Sequence, residues 1–214
     1  MTALSVQQTY EMILKCCDAI VAKQDYLTEV DSTIGDGDHG IGMSGGMQKA
    51  KEALLKKGSF DAVNDIFKLT GMSMLSSMGG ASGVIFGSMF LGGVKGLEPI
   101  QELNAAAMAK IMRGSLDSIC QRGKAEEGDK TMVDAFAPAV RALEANQDQD
   151  LAIAMEAAAA AAAIDGAEKT RNYVAKFGRS RYAGERALGH LDAGAVSVSI
   201  IFGAMRDYVC ANNQ

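Results

Sequence analysis

Apolar residues recur at helical rather than strand spacing along most of this chain. Val6, Tyr10, Ile13, Cys17, Ile20 and Val21 fall close to the repeat that lines one face of an α-helix, and they predict a first helix from Ser5 to Glu29. A second is expected from His39 to Gly58. Ser59 is the expected N-cap of a third, which carries Val63, Ile66, Phe67 and Leu69. A fourth follows the loop Ser76–Gly83 and runs to Lys95. Pro99 precedes a fifth over Ile100–Arg122. The sixth spans Thr131–Ala145, with Pro138 expected to kink it. The seventh, Asp150–Phe177, contains the alanine run Ala157–Ala163, which suits a helix packed very closely on its neighbours. After a loop over Gly178–Ala193, an eighth ends near Cys210. Val196–Ile201 has strand propensity, but an isolated strand would have no partner, so the segment is assigned to that last helix.

Composition agrees with this pattern. Two prolines and an abundance of Ala, Leu, Met, Glu and Lys favour an all-α chain, and thirteen methionines suit a core with irregular gaps between helices. Neither an internal repeat nor a linker composition divides the sequence, so residues 1–214 are expected to form one domain. In an up-and-down arrangement the loops after helices one, three, five and seven share one end. Those are the four loops rich in glycine and charge. The expected architecture is therefore an antiparallel barrel or bundle of eight helices with its site in the loops at one end.

A net charge of −5 argues against a nucleic-acid surface. Apolar runs are interrupted before they reach about 18 residues, and Met1–Tyr10 has no apolar signal core, so no membrane association is expected. Cys16, Cys17, Cys120 and Cys210 form no C-x-x-C pair and read as buried thiols of a cytoplasmic protein.

The candidate chemistry lies in the four loops. Asp31, Asp36 and Asp38 fall within eight residues on a glycine-broken backbone. Carboxylates so placed repel one another unless a cation joins them, and oxygen ligands suit a hard ion such as Mg²⁺. Ordinary Asp-Gly turn chemistry is the plain alternative. The calcium-loop pattern fails, because Ser44, Gly45 and Gly46 follow with no Glu nearby. Gly79–Gly83, just ahead of a helix, offers backbone N–H groups to an anion, or simply lets helices pack closely. It matches neither the P-loop nor the dinucleotide fingerprint. Arg179 and Arg181 could meet phosphate oxygens. His39 could contact phosphate or cap the second helix. A pairing of His190 with Asp192 lacks the nucleophile context of a hydrolase.

Taken together, Asp31-x₄-Asp36-Gly37-Asp38-His39-Gly40, Gly79-Gly80-Ala81-Ser82-Gly83, Arg122-Gly123-Lys124-Ala125-x₂-Gly128-Asp129-Lys130-Thr131-Met132, and Gly178-Arg179 through Asp192-x-Gly194-Ala195 resemble the nucleotide-binding L subunit of the dihydroxyacetone kinases. The resemblance covers nearly the whole chain in order. It implies an eight-helix barrel holding ADP or ATP with two Mg²⁺ ions. Asp31, Asp36 and Asp38 would be the metal ligands. His39, Gly40, Ile41 and Gly42 would line the phosphates, and Ala81 and Ser82 would contact the nucleotide. Gly123 and Met132 would lie beside the adenine, Arg179 at the phosphates, and Asp192, Ala193 and Gly194 in the last contacting turn. Gly37, Gly42 and Ala193 stand where a family member carries Ala, Asn and Pro.

The implied partner is a separate K subunit that holds the ketose and supplies the acid–base groups. In some bacterial systems a phosphotransferase-system M subunit rephosphorylates bound ADP, and in others ATP exchanges freely. A homodimer is a further open arrangement. Two alternatives also stay open: a Mg-nucleotide-sensing module that transfers no phosphate, and the same fold serving another acceptor, such as a four-carbon ketose.

Overall fold

Ser5 starts the first helix with a reciprocal cap. Its hydroxyl accepts the Gln8 N–H at 3.2 Å, while the Gln8 side chain accepts the Ser5 N–H at 2.9 Å. The structure, a computed structural model, describes residues 2–212; the outermost residues of the expected 1–214 unit, and the side chains of residues 163 and 164 in and beside the alanine run, lie outside that description. The elements are β1 (Ala3–Ser5), α1 (Val6–Ala22), α2 (Gln24–Ser32), α3 (His39–Lys57), α4 (Val63–Ser77), α5 (Gly80–Leu91), β2 (Glu102–Asn104), α6 (Ala105–Gly123), α7 (Val133–Ala145), α8 (Leu151–Ala160) and α9 (Ala193–Ala211).

Each helix packs on the next in sequence, and α9 returns to pack on α1, so the helices close a ring. Counting α1 and α2 as one bent stave, the ring has the eight positions the sequence predicts. The buried side chains form a continuous cluster, in which Met12, Met43, Met47, Met108, Met155 and Met205 are all fully enclosed. At the seam between α4 and α5 only glycine fits. A Cβ on Gly71 of α4 would stand 2.6 Å from the Gly87 carbonyl oxygen of α5. By length and composition α9 could cross a bilayer, yet Val198, Ile201, Phe202 and Met205 are fully buried in the core.

Several expectations need correction, each for a tertiary reason. The first helix breaks at Lys23, so Asp31 lies in the last turn of α2 rather than in a loop. The third helix starts at Val63, not after Ser59, because the Val63 N–H donates to the Ile100 carbonyl at 2.9 Å. The fifth starts at Ala105, capped by Asn104, because residues 102–104 pair antiparallel with residues 3–5. Cys16 and Cys17 are buried as expected, but Cys120 is half-buried and Cys210 exposed.

The largest departure is the seventh helix. Its α-helical part stops at Ala160, a π-helical segment covers Ala161–Ala167, a 3₁₀ turn covers Glu168–Asn172, and the backbone is then extended toward Phe177. The widened segment presses on α7, where a Cβ on Gly166 would stand 2.7 Å from the Asp134 carbonyl oxygen. That carbonyl lacks its usual helical donor, because the residue four positions on is Pro138. The α7 helix nevertheless runs unbroken through the proline.

Gly166→Ala should lower stability by about 1–3 kcal/mol, the usual cost of overpacking. Gly203→Ala on α9, where a Cβ meets nothing within 4 Å, should be neutral or stabilising. Urea unfolding midpoints check both, and equal midpoints for the two variants would refute the close seam at Gly166.

Candidate functional site

The end of α2 and the start of α3 are folded back on each other. The Asp31 carbonyl accepts the N–H groups of Ile34 at 3.2 Å and Gly35 at 2.6 Å. A Cβ on Gly35 would overlap the Asp31 carboxylate, and Gly37 takes φ +77°, so both turns require glycine. Asp31 Oδ2 accepts the His39 N–H at 3.2 Å. Oxygens of Asp31, Asp36 and Asp38 thereby come within 4.8 Å of one another, Asp31 half-buried and the other two exposed. Burial first, and then the charges of Asp36 and Asp31, push the Asp38 carboxyl above its ordinary range, while Arg179 opposes them. Arg179 Nε lies 3.1 Å from Asp36 Oδ2. An all-oxygen, triply acidic set suits a hard divalent cation.

All four unusual loops contribute to the cleft around these carboxylates. Ala81 and Ser82 lie in the first turn of α5, whose N-cap, Gly79, offers no side-chain cap, so the leading N–H groups are available to a ligand. Ile85 and Phe86 follow one turn on. Lys130, Thr131 and Met132 come from the stretch before α7, residues 177–180 from the strap after the 3₁₀ turn, and Asp192, Ala193 and Gly194 from the start of α9. Asp192 caps α9 by accepting the Ala195 N–H at 2.7 Å. Burial pushes its carboxyl up to about 7, against the lowering effects of that hydrogen bond and of Lys130.

His39 is the first residue of α3 and part of the cleft wall. Its Nε2 pairs with Ser197 Oγ at 2.8 Å, and its ring lies 5.8 Å from Phe86. Burial lowers its pKa despite the opposing charge of Asp31, which favours the neutral ring. Of the two expected roles, the side chain therefore caps no helix; it ties α3 to α9.

Not every expected site residue lines the cleft. Ile41 is 61% exposed on α3. A Cβ on Gly40 would overlap Thr28 and the Gln24 carbonyl, so this glycine lets α3 lie on α2. Gly42 has open space around its Cβ position, and Gly123 sits behind Ile85, where an added Cβ would stand 3.1 Å from Cδ1. Arg181 does not line the cleft; its guanidinium stacks 4.7 Å from the Tyr182 ring. Sequence reasoning missed Ile85, Phe86, Lys130, Thr131, Phe177, Gly178 and Ser180. Ile85 and Phe86 stand at helical spacing from Ser82, and Lys130 and Thr131 sit inside a glycine-rich motif, so those four carried a readable signal.

A ring of helices that gathers an acidic cluster, an arginine and helix N-termini around one cleft has the chemistry that suits a phosphate ligand. The model of the "DAK2 domain" family matches residues 33–207, and the chain belongs to that family. It is 39% identical over 198 residues to the "PEP-dependent dihydroxyacetone kinase, ADP-binding subunit DhaL" of Escherichia coli, covering 92% of this chain and 93% of the relative. It is 34% identical to the "PTS-dependent dihydroxyacetone kinase, ADP-binding subunit DhaL" of Lactococcus lactis, covering 96% and 99% of the two chains. The crystal structure of the dihydroxyacetone kinase of C. freundii superposes with a TM-score of 0.74 at 24% identity. That match covers 93% of this chain but 34% of the C. freundii chain, and it supports the fold.

Because the Asp192 carboxyl is raised in the folded state, the fold binds its proton more tightly than the unfolded chain does. Its ionisation therefore costs stability as pH rises from about 4 towards 7. Asp192→Asn keeps a capping side chain and removes that cost. The variant should gain stability relative to the wild type between pH 4 and pH 8, as read by urea unfolding; a pH-independent difference would place the ionisation elsewhere.

Proposed function

We propose that this chain, as one domain over residues 1–214, binds Mg-ADP or Mg-ATP and carries the phosphoryl donor of a dihydroxyacetone-type ketose kinase. Transfer would be to substrate held by a separate K subunit. The supporting observation is the cleft itself, in which three clustered carboxylates, Arg179 and the first turn of α5 meet. It stands on a chain closely similar to a relative named as an ADP-binding subunit.

Asp31, Asp36 and Asp38, whose oxygens suit a hard divalent cation, would hold two Mg²⁺ ions, which when bound would neutralise phosphate charge, much of what phosphoryl transfer requires. Arg179 and the N–H groups at Ala81 and Ser82 would orient the phosphate oxygens. In the α3 turn, the N–H groups of His39 and Gly42 are already taken by Asp31 and Asp38, leaving Gly40 and Ile41 as its open donors. Met132, with Gly123 behind Ile85, would set the adenine wall, together with Ile85 and Phe177 of the same cleft. Asp192, Ala193 and Gly194 would close the site.

The K subunit would dock over the same rim, where Ile41 and Tyr182 are 61% and 69% exposed. It would bring the acid–base groups for the ketose. A phosphotransferase-system M subunit would recharge bound ADP in place, the chain working in the cytoplasm.

Nucleotide released from the purified, denatured chain should chromatograph as near-stoichiometric ADP or ATP, or else the empty chain should bind Mg-ADP saturably. Bound Mg-ADP should raise stability by about 2.7 kcal/mol at a hundredfold excess over Kd. Asp36→Asn should abolish that rise while preserving helical content. Phosphorylation of dihydroxyacetone should appear only when a purified K subunit is added. Binding without turnover in that mixture would indicate a nucleotide-sensing module instead, and no binding at all would end the proposal.

A further inference from the structure

Another part of the cleft is built around a buried cation. Lys130 is 1% exposed and takes a left-handed backbone conformation with φ +59°. Its Nζ donates to the carbonyl oxygens of Thr170 and His190, each at 2.5 Å. These carbonyls belong to two stretches that flank the strap carrying Arg179.

The same stretches are laced together around the lysine. Thr170 Oγ1 donates to the Ala167 carbonyl at 2.6 Å and accepts the Asp192 N–H at 3.0 Å. The Gly189 N–H donates to the Arg171 carbonyl at 2.7 Å, and Arg171 Nη1 donates to the Gly189 carbonyl at 2.8 Å. The neighbouring Asp129 holds Lys176 at 2.6 Å, just before the strap. Residues 129 and 130 therefore grip the strap's entrance, its exit and the approach to the α9 cap.

A buried ammonium held mainly by neutral carbonyls is a poor device for stability, since an apolar side chain of similar shape would avoid the desolvation cost. Asp192 and Asp134 favour its charge, but burial outweighs them and lowers the Lys130 pKa. What the ammonium does supply is a shared donor that fixes two backbone stretches relative to each other.

We propose that Lys130 is a positioning residue of the nucleotide cleft, holding the Thr170 and His190 carbonyls so that the Asp192–Gly194 turn and the Arg179 strap keep their binding geometry. The proposal rests on the cleft being a nucleotide site. It adds a residue that need not touch the nucleotide.

Lys130→Met keeps the aliphatic stem and removes the donor. The variant should retain helical circular dichroism and cooperative melting, while its Kd for Mg-ADP rises by about tenfold or more, as when other supporting residues of a site are removed. Amide hydrogen exchange should accelerate locally, at residues 170–180 and 189–195, and stay unchanged in α1, α3 and α4. A merely structural role would accelerate exchange throughout the helices. If Lys130→Met does not fold, Thr170→Val, which removes the hydroxyl that accepts the Asp192 N–H and donates to the Ala167 carbonyl but leaves the carbonyl that Lys130 holds, should shift affinity and local exchange in the same direction. Wild-type affinity in the folded variant, or uniform exchange, overturns the proposal and leaves the nucleotide site standing. Failure of the wild-type chain to bind Mg-ADP overturns the nucleotide site, and this proposal with it.

Discussion

Three carboxylates held within 4.8 Å of one another repel, and the surrounding structure is arranged to keep them together. Each pair costs about 1 kcal/mol at 4 Å in bulk water and about four times that where the effective dielectric is near 20. Local backbone geometry resists this pressure. Asp31 is fixed in the last turn of α2, where its carbonyl and carboxylate both accept N–H groups from the following residues. Asp38 sits at the N-cap of α3, where the helix dipole favours a negative charge. Gly40 allows α3 to lie against α2, so the two helix ends that carry the carboxylates cannot drift apart without losing a packed seam.

The regular and irregular halves of the molecule divide the work. From α1 to α6 the chain is a succession of α-helices, closely seamed through glycines such as Gly71 and Gly87. From residue 161 to α9 it passes through π-helical, 3₁₀ and extended backbone. Such backbone has few repeating hydrogen bonds of its own, so side chains provide them. Lys130 serves two carbonyls, and Thr170 Oγ1 accepts the Asp192 N–H at 3.0 Å. Several groups that line the cleft sit on this hand-tied half, where direction is set residue by residue rather than by a helix repeat.

Much of this was legible in the sequence. The helical period of Val6 through Val21 and the bounds of α3 follow from local spacing and from His39 and Gly58 as punctuation, and those of α9 from the loop expected to end at Ala193. The gathering of four loops at one rim followed from helix parity, and it survived the break at Lys23 because α1 and α2 together still make one stave. What local pattern could not show were consequences of distant contacts. The pairing of residues 3–5 with residues 102–104 joins segments about a hundred residues apart. The unwinding after Ala160 depends on Gly166 meeting α7, and no periodicity in an alanine run reports such a neighbour. Carboxylates and glycines announced themselves by type, whereas the motif around Lys130 said nothing of its burial, which depends on carbonyls 40 and 60 residues away.

Closure of the ring also orders events during synthesis. The helix that completes it, α9, packs on α1, yet about 170 residues separate them. At a ribosomal rate of about 5–20 residues per second, α1 emerges roughly ten to thirty seconds before its partner exists. Throughout that interval Cys16, fully enclosed in the finished fold with its thiol against the Ile201 carbonyl of α9, lacks the helix that later helps to cover it. A closed ring is stable because it has no free edge, and for the same reason its nascent chain must travel with an open one, a natural binding surface for the cell's chaperones.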